Sequence, residues 1–457
     1  MDFIHHLEAI RQFFDSGATR SFEFRRRQLR ALRDSILKHE QDLYEALDAD
    51  LKKNPEESWV TELGLVLSEL RAAMRNLKRW MAPERTKTNL VNLPSRSWVI
   101  KEPLGVVLIV GPWNYPVQLL LNPLVGAIAA GNCVVLKPSE FAPATASVLK
   151  KIIEDVFPAE YIYFLEGDGS RVIPPMLEQF RFDHLFYTGT TTVGRLIYKM
   201  AADKLVPVTL ELGGKTPCVV ENDANIRVAA RRIAVTTFSN AGQMCVAPDY
   251  VLVHDSRKEE LIRELARATR AFFSENPEKD YHYGRIVNEK HFQRLVGYLE
   301  QGKIVFGGRH QREKLFIEPT ILTDVSLDSP VMREEIFGPI LPVLPFSTSE
   351  EAKRIVRRNP DPLALYVFTS SRLKEKDWLE TVPFGGGCVN NASWHITNYN
   401  LPFGGRGASG SGSYHGKYSF DTFTHRKAVM KTPTWFDPAV KYPPFRGKLG
   451  LFRRVIR

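Results

Sequence analysis

The alternation of short apolar runs with helical segments between residues 105 and 214 most constrains how this chain can fold. The runs read GVVLIVG, NCVVLKPS, YIYFLEG, HLFYTG and VPVTLELGG, and helix-forming segments separate them. Continuous β-branched runs are typical of strands that are buried on both faces. Strands that alternate with helices at this spacing predict a doubly wound parallel sheet, whose ligands bind beyond the carboxyl ends of the strands.

The same alternation begins again after Gly214, where TPCVVEND and YVLVHD flank a helix predicted near residues 225–239. A chain of 457 residues is longer than one hydrophobic core usually serves, so two or three domains are expected. We predict a first α/β domain from residues 1–81 and 103–213 and a second α/β domain from residues 214–401. Residues 432–457 are expected to form a C-terminal tail.

Two segments stand apart from this alternation. Residues 60–81 carry apolar side chains three and four positions apart, which predicts one core-facing helical stripe. The stripe consists of Val60, Leu63, Leu67, Leu70, Met74, Leu77 and Met81. Residues 82–103 are polar, contain several prolines and include short β-type runs, so we predict a hairpin that leaves its domain, with residues 419–431 strand-like.

Charge and cysteine usage exclude several classes of protein. The net charge is +10, but apart from RRR at residues 25–27 and the terminal LFRRVIR the basic residues are dispersed, and no nucleic-acid-binding motif accompanies them. The four cysteines are far apart, which predicts neither a metal centre nor a disulfide framework and favours a reducing compartment. Neither a secretory signal nor an apolar run of about 18 residues is present, so we expect a cytoplasmic protein with no spanning segment.

Polar groups follow the predicted strands at the edge where a ligand would lie. The turn from Gly189 to Gly194 opens a helix, whose free amides can hold a phosphate, although a merely tight turn explains the glycines equally well. Glu140 lies at the end of a neighbouring strand, NCVVLKPS, where a carboxylate can accept hydrogen bonds from a ribose diol. A solvated loop carboxylate is the alternative interpretation.

Cys245 differs from the other cysteines. Cys133 and Cys218 lie inside β-branched runs and are expected to be buried apolar side chains, and Cys388 is expected to have a packing role. Cys245 lies in FSNAGQMCVAPD, where small residues leave room for a substrate. A reactive thiolate needs a lowered pKa or a nearby positive group, and this segment contains no cation. From these residues alone, both a packed and a reactive thiol stay open.

A set of motifs, in order, resembles the NAD(P)-dependent aldehyde dehydrogenase superfamily over nearly the whole chain. They are GPWNYP, KPSE, FYTGTTTVG, LELGGKTP, FSNAGQMCVAP, EEIFGP and LPFGGRGASGSGSYHGKYSFDTFTH. The GSYHGKYSFDTF and KYPPF segments are similar to the class 3, or fatty-aldehyde, branch. The resemblance implies a Rossmann-like cofactor domain, an α/β catalytic domain and a small β arm from residues 82–102 and 415–431.

The resemblance also implies roles for individual residues. Cys245 matches the nucleophile, Asn114 the oxyanion donor, and Glu211 the general base that activates water. The implied cofactor-binding residues are Pro112, Trp113, Lys137, Glu140, Gly189, Thr190, Val193, Gly194, Gly213, Glu335 and Phe337. The implied substrate-lining residues are Tyr115, Ser239, Ile396 and Thr397.

These roles imply oxidation of medium- or long-chain aliphatic or aromatic aldehydes to carboxylic acids. A coenzyme A-acylating aldehyde dehydrogenase is a second interpretation, although enzymes of that kind generally lack the carboxylate that Glu211 supplies. A non-catalytic scaffold protein is a third. We further expect a preference for NAD with NADP accepted, because Glu140 would disfavour a 2′-phosphate, and a homodimer joined through the arm.

Overall fold

The structure is a computed structural model that describes residues 3–456. Met1 and Asp2 of the predicted first domain and Arg457 of the predicted tail lie outside the described residues. The N-terminal helices are α1 (Ile4–Asp15), α2 (Phe22–Lys38), α3 (Glu40–Leu51), α4 (Pro55–Ser58) and α5 (Gly64–Met81). Arg25, from the basic RRR run, is buried and donates to the carbonyl oxygens of Thr19 and Ala129, so one of these three cations has a structural role.

The apolar stripe predicted over residues 60–81 is helical, but it changes phase at its start. The chain forms a π-helical turn, Trp59–Leu63, between α4 and α5. Leu63, Leu70 and Leu77 are fully buried, whereas Val60 is 59% exposed. The expectation that Val60 faces the core is therefore wrong, because the wider π-helical turn shifts it off the buried face.

The first sheet follows a two-stranded hairpin. Strands β1 (Glu84–Thr86) and β2 (Arg96–Pro103) pair antiparallel, which confirms the predicted hairpin. The sheet then contains β3 (Val106–Val110), β4 (Cys133–Lys137), β5 (Ile162–Phe164), β6 (His184–Thr188) and β7 (Val208–Glu211). These strands are connected by α6 (Gln118–Ala130), α7 (Pro143–Glu154), α8 (Gly169–Gln179) and α9 (Thr191–Ala202).

Strands β3 to β7 are parallel and lie in the order β7-β6-β3-β4-β5, which confirms the doubly wound sheet. All residues of β3, β4 and β6 are buried, as their β-branched and apolar composition predicted. The chain order reverses at β3, since β4 lies on one side of it and β6 on the other. A crevice that can hold a ligand forms at such a point, beyond the carboxyl ends of the strands.

A second sheet is formed by the chain beyond Gly214. Its strands are β8 (Pro217–Val220), β9 (Tyr250–His254), β10 (Lys303–Phe306), β13 (Thr320–Thr323), β14 (Ile340–Phe346), β15 (Ala364–Phe368) and β16 (Gly386–Val389), and a separate hairpin contains β11 (His310–Gln311) and β12 (Phe316–Ile317). The order is β10-β13-β14-β9-β8-β15-β16, and the pairs are parallel except for β10 with β13. Its helices are α10 (Ile226–Phe238), α11 (Lys258–Phe273), α12 (Glu289–Leu299), α13 (Pro330–Arg333), α14 (Ser349–Val356) and α15 (Arg372–Thr381).

The C-terminal segment returns to the first sheet and to the hairpin. It contains β17 (Gly410–Ser411), α16 (Gly416–Thr422), β18 (Thr424–Lys431) and α17 (Leu449–Val455). Strand β17 pairs antiparallel with β7, and β18 pairs with β2 along its whole length. The predicted strand over residues 419–431 is wrong at its start, because residues 419–422 belong to helix α16, where Ser419 and Phe420 are buried and Phe420 contacts Trp80.

Strands β1, β2 and β18 form a three-stranded sheet, which we call the arm. The domain boundaries given above remain a prediction. Within residues 3–456, none of the helices is both long and apolar enough to cross a membrane.

Candidate active site

Cys245 lies in a loop between α10 and β9 whose backbone has an uncommon shape. Asn240, Ala241 and Gly242 in succession adopt left-handed conformations, with φ of 49°, 50° and 72°. A Cβ at Gly242 would lie 2.3 Å from the carbonyl oxygen of Gly338. Only glycine therefore lets the loop approach the segment after the EEIF motif this closely.

Two buried amide side chains hold this loop. The Nε2 of Gln243 donates to the carbonyl oxygens of Asn240 (3.0 Å) and Arg285 (2.9 Å). Its Oε1 accepts from the N–H of Val287 at 3.0 Å. The Nδ2 of Asn240 donates to the carbonyl oxygens of Asn114 (3.0 Å) and Gln243 (3.2 Å). The amide of Gln243 is thus fully bonded, so the loop is fixed before any substrate binds.

Asn114 reaches the same loop from the end of β3. Its side chain is buried, and its Nδ2 donates to the carbonyl oxygen of Gln243 at 3.1 Å, two residues before Cys245. The structure thus brings the predicted oxyanion donor to the predicted nucleophile. A primary amide carries two N–H groups, so the second can serve a substrate oxygen.

Glu211 ends strand β7 and is 3% exposed. Neither carboxyl oxygen has a hydrogen-bond partner among the residues that the structure describes. Burial raises the pKa of Glu211 well above its usual value, because the charged form loses its hydration. Without a ligand, the site therefore favours the protonated form of Glu211 more than water does.

The thiol of Cys245 is half-buried, and its pKa is also raised. Burial is the largest cause, and the charges of Glu335 and then Glu211 add to it, so both carboxyl groups lie close to the sulfur. The backbone N–H groups of Cys245 and Val246 act in the opposite direction. Cys245 is consequently a neutral thiol near neutral pH until something removes its proton.

Glu335 belongs to the EEIFGP motif and lies against the glycines that follow Glu211. A Cβ at Gly213 would lie 1.8 Å from Oε2 of Glu335, and the N–H of Gly214 faces the same carboxyl group. Burial raises the pKa of Glu335 to about 8, and its Oε1 has no partner within residues 3–456. An unpartnered acceptor in a glycine-lined crevice fits a ligand that supplies hydroxyl groups.

Aromatic rings flank this acceptor. Phe337 has a φ of 49°, and its ring meets Trp113 edge to face at 5.3 Å between ring centroids. Trp113 also packs on His291, with centroids 5.4 Å apart, and Pro112 beside it is half-buried. The structure therefore places the predicted residues Pro112, Trp113 and Phe337 around one side of the crevice.

Lys137 ends strand β4, which pairs with β3, and Glu140 follows three residues later. The Nζ of Lys137 is buried and donates to Oε2 of Glu140 at 3.0 Å and to the carbonyl oxygen of Pro138. The Oε1 of Glu140 accepts from the N–H of Gly169 at 3.3 Å, at the start of α8. The Glu140 side chain stays 36% exposed, so a hydroxyl ligand can reach it.

The turn from Gly189 to Gly194 is closely packed. A Cβ at Gly189 would lie 2.3 Å from the Tyr187 hydroxyl, and one at Gly194 would lie 2.6 Å from the Leu212 side chain. Thr190 caps α9 by accepting from the N–H of Val193 at 3.4 Å. Packing therefore accounts for both glycines, and the helix N-terminus still points its amides at the crevice edge where a phosphate would bind. The amides at the start of α9 and the carboxyl groups of Glu140 and Glu335 together fit the donors and acceptors of a dinucleotide.

The predicted substrate-lining residues divide into two groups. Tyr115 is buried next to Cys245. Burial is the largest cause that raises the pKa of its phenol, two nearby carboxylates come next, and the charge of Cys245 adds to them. Ser239 and Ile396 are half-buried and Thr397 is exposed. Within residues 3–456, no hydrogen bond joins any of these last three to Asn114, Glu211 or Cys245, so only Tyr115 is placed directly at the site.

Several residues of the site carried no signal in the sequence. Lys53 donates to the carbonyl oxygen of Asn114 at 2.9 Å and to Glu62 at 2.7 Å, and both charged side chains are fully buried. Asn240 and Gln243 hold the cysteine loop as described. The polar pair in SNAGQ could have indicated the last two, whereas the contact between Lys53 and Asn114 joins positions 61 residues apart.

The fold and this crevice define an α/β protein whose crevice fits a dinucleotide and contains a cysteine beside two carboxyl groups. The sequence profile of the aldehyde dehydrogenase family matches residues 1–429, and the chain belongs to this family. A relative from Staphylococcus aureus, 4,4'-diaponeurosporen-aldehyde dehydrogenase, is 45% identical and the match covers 97% of both chains. Aldehyde dehydrogenase family 3 member H1 of Arabidopsis thaliana is 44% identical, over 98% of this chain and 93% of that protein.

Further relatives and solved structures bear on the cofactor. A canine aldehyde dehydrogenase named as dimeric and NADP-preferring is 42% identical, over 97% of this chain and 98% of that protein. The structure of a substrate-bound state of Staphylococcus aureus AldH has a TM-score of 0.97 and 43% identity, with full coverage of both chains. An indole-3-acetaldehyde dehydrogenase solved with NAD⁺ has a TM-score of 0.85 and 28% identity, over 94% of this chain and 89% of that one.

These comparisons confirm the predicted class 3 resemblance, the fold and the activity. The protein is an oxidoreductase that oxidises aldehydes to carboxylic acids, in a family that uses NAD(P).

Proposed function

We propose that Cys245 is the nucleophile that attacks the aldehyde carbon. The observation that carries this proposal is the hydrogen bond of 3.1 Å from the Asn114 side chain to the carbonyl oxygen of Gln243, which holds amide and thiol loop together. The thiol of Cys245 first gives up its proton to solvent. Attack by the thiolate then forms a sulfur–carbon bond while the C=O π bond opens, and the carbonyl oxygen becomes an oxyanion. The free N–H of Asn114 and the backbone N–H of Cys245 would hold that charge, and one such donor is typically worth about 2.7–4 kcal/mol of barrier.

When bound in the crevice, NAD(P) supplies the acceptor for the hydride that leaves the former carbonyl carbon, so that a thioester remains on Cys245. Glu335 would hold the ribose next to the reacting centre, and Lys137 and Glu140 would hold the adenosine ribose. The turn from Gly189 to Gly194 would hold the pyrophosphate.

Glu211 is the proposed general base for hydrolysis of the thioester. Its carboxylate would take a proton from water, the water oxygen would attack the thioester carbon, and the acid would leave with Cys245 again a thiol. The burial of Glu211 supports this role, because a carboxyl group in an apolar site has a raised pKa and is a stronger base when ionised.

The proposed substrates are medium- or long-chain aliphatic aldehydes and aromatic aldehydes. Tyr115 and the half-buried Met244 next to Cys245 supply apolar surface, and Ile396, in the turn that follows β16, is half-buried against the hydrophobic core. The names of the staphylococcal relative and of the indole-3-acetaldehyde dehydrogenase refer to aldehydes with apolar groups, and we extend that preference to this chain.

We expect NAD to be preferred and NADP to be accepted. The Glu140 carboxylate would repel a 2′-phosphate, but Lys137 at 3.0 Å offsets part of its charge. The canine relative, which is named as NADP-preferring, shows that NADP use is compatible with this branch of the family.

We also propose a homodimer in the cytoplasm. In the arm, β1 and β18 form the two edges, and Leu90 and Leu93 in the connection between β1 and β2 are exposed. Exposed strand edges and apolar side chains favour pairing with a second copy. The canine relative is named as dimeric.

One experiment tests the proposal as a whole. The purified protein is incubated with aldehydes of increasing chain length and with NAD or NADP, with and without coenzyme A, and reduced cofactor and acid are measured. We expect acid to form without coenzyme A and Cys245→Ser to form none. Acid or acyl product that appears only with coenzyme A would contradict the role of Glu211.

A further inference from the structure

The segment from Lys53 to Glu62 touches the site at three separate places. Lys53 donates to the carbonyl oxygen of Asn114 at 2.9 Å, and Glu57 accepts from the backbone N–H of Asn240 at 3.0 Å. Glu62 accepts from two backbone N–H groups at the start of α6, at 3.1 Å and 2.9 Å. This one segment thus contacts the Asn114 turn, the cysteine loop and the helix that follows the turn.

We infer that Lys53 and Glu62 form a positioning pair that sets the place of the Asn114 amide and of the cysteine loop. The inference rests on the proposed role of Asn114 as the oxyanion donor. Lys53 and Glu62 would touch neither substrate nor cofactor, so they act through Asn114.

The ammonium group of Lys53 makes three contacts. It lies 2.7 Å from Oε1 of Glu62 and 2.9 Å from the carbonyl oxygen of Asn114, and the ring of Tyr115 lies 3.8 Å from Nζ to the ring centroid. An ammonium offers three N–H groups, and a cation over an aromatic face is attracted by it. Lys53 therefore holds both Asn114 and Tyr115.

The negative charge of Glu62 is compensated by two sets of donors. One carboxyl oxygen faces Lys53, and the other receives the N–H groups of Val117 and Gln118, where the positive end of the α6 dipole lies. Glu62 reaches this position because the π-helical turn Trp59–Leu63 places it inside, fully buried, while Val60 faces out. The irregular turn thus has a consequence for the site.

The contacts of the pair continue as a closed ring. The carbonyl oxygen of Asn114 accepts from Lys53 and from Nδ2 of Asn240, and that same Nδ2 also donates to the carbonyl oxygen of Gln243. The side chain of Asn114 donates to the same oxygen of Gln243. A shift of the ammonium would therefore move the amide and the loop of Cys245 together.

A structural explanation alone is the alternative. A buried ion pair is weak evidence for stability, because the loss of hydration of two charges offsets much of their attraction. The pair at Lys353, by contrast, lies away from the site: its Nζ contacts Asp377 at 2.6 Å and Glu350 at 3.0 Å and lies 5.7 Å from the Trp378 ring centroid. It offers a matched control, since it too joins a buried ammonium, a carboxylate and an aromatic ring.

The test compares Lys53→Met with Lys353→Met by thermal unfolding, cofactor binding and steady-state oxidation of one aldehyde. We expect both variants to unfold at lower temperature and to keep cofactor KM within about twofold. Only Lys53→Met should lower kcat, by roughly 10- to 100-fold, because small misplacements of a reacting group have effects of this size. An equal loss of kcat in both variants would overturn the inference.

A double-mutant cycle separates positioning from folding. Lys53→Met should lower kcat by a smaller factor in the Asn114→Ala background than in wild type, because part of its effect passes through the Asn114 amide and only the part that passes through the cysteine loop remains. A full additional loss would overturn the inference. If Asn114→Ala itself leaves kcat unchanged, the proposed role of Asn114 fails, and the inference fails with it. A normal kcat in Lys53→Met beside an impaired Asn114→Ala would overturn the inference alone.

A second variant keeps the test valid if Lys53→Met folds poorly. The combination Lys53→Met with Glu62→Gln removes both members of the ion pair, so it should unfold closer to the wild-type temperature than Lys53→Met alone. Its kcat should nevertheless stay low, since the carbonyl of Asn114 still lacks the ammonium. Recovery of both stability and kcat would show a purely structural pair and overturn the inference.

Discussion

The two sides of the Cys245 crevice differ in how far their polar groups are satisfied. On the amide side, the side chains of Asn114, Asn240 and Gln243 all donate hydrogen bonds within the loop, and one buried acceptor, Oδ1 of Asn240, has no partner within residues 3–456. On the carboxyl side, Glu211 has two buried oxygens and Glu335 has one that find no partner within residues 3–456. Buried polar groups in native proteins are nearly always bonded, so an unbonded one needs an explanation.

The difference indicates which side depends on a ligand. The donor groups of the amide side are held in place before substrate arrives, as those of a site that stabilises developing charge should be. The carboxyl side is complete only when water, substrate or cofactor supplies hydroxyl groups and donors. Until then, burial keeps the pKa of Glu211 and of Glu335 raised.

The largest effect is expected where the two sides meet. Cys245→Ser should lower aldehyde oxidation by roughly 10³-fold or more, because a serine hydroxyl ionises far less readily than a thiol. Cofactor binding, followed by protein fluorescence, should stay near wild type. Turnover within a few-fold of wild type would exclude Cys245 as the nucleophile.

Removal of the amide side should have the next largest effect. Asn114→Ala should lower kcat by roughly 10²- to 10³-fold, the usual loss for one oxyanion donor. Asn132 is a suitable control, since its buried amide bonds to Gly105 and to the carbonyl oxygen of Phe423, away from the site. Asn132→Ala should lower the unfolding temperature and leave kcat within a few-fold, and the opposite pattern would contradict the assignment.

The carboxyl side should respond to pH, and the amide side should not. The pKa of Glu211 is raised, so its basic form appears only as the pH rises, and the raised pKa of Cys245 acts in the same direction. We expect kcat to increase about tenfold or more from about pH 6 to about pH 8. Asn114→Ala should shift the whole profile down without changing its shape. A wild-type profile that falls over this range would contradict the account.

Much of the first sheet could be predicted from the sequence, because each strand is a short β-branched run whose burial needs no knowledge of distant residues. Gly131 likewise ends α6 with a φ of 91°, a conformation that glycine favours, so its residue type alone indicates a helix end. The start of the stripe was not predictable, since the π-helical turn that turns Val60 outward depends on where Glu62 is bonded. Residues 419–422 carry a β-like pattern but form a helix, because Phe420 packs against Trp80.

The residues of the candidate site also divide into those that the sequence indicated and those that it did not. Motifs in sequence order indicated Asn114, Glu211 and Cys245, and the structure places them at one crevice. Lys53 and Glu62 carry no motif, since their meaning comes from contacts with residues more than 50 positions away. The raised pKa values of Cys245 and Glu335 could not be predicted from the sequence, because the mutual influence of the carboxyl groups and the thiol depends on their positions in space.

The smallest effect is expected at the outer end of the carboxyl side. Glu140→Ser should raise the ratio of kcat/KM for NADP to that for NAD by roughly several-fold, since screening by solvent limits the repulsion that is removed. Both cofactors are measured with the same aldehyde in wild type and variant. An unchanged ratio would show that Glu140 does not contact the adenosine ribose.

The division of labour between Cys245 and Glu211 is tested most directly by mass spectrometry of Glu211→Gln. This variant keeps the complete amide side and removes the base, so attack and hydride loss should proceed while hydrolysis stalls. After mixing with aldehyde and NAD and quenching in acid, the account predicts that the peptide containing Cys245 gains the mass of the acyl group. Wild type quenched in the same way should show much less of this adduct. Absence of the adduct from Glu211→Gln, or its presence on a different cysteine, would contradict the account.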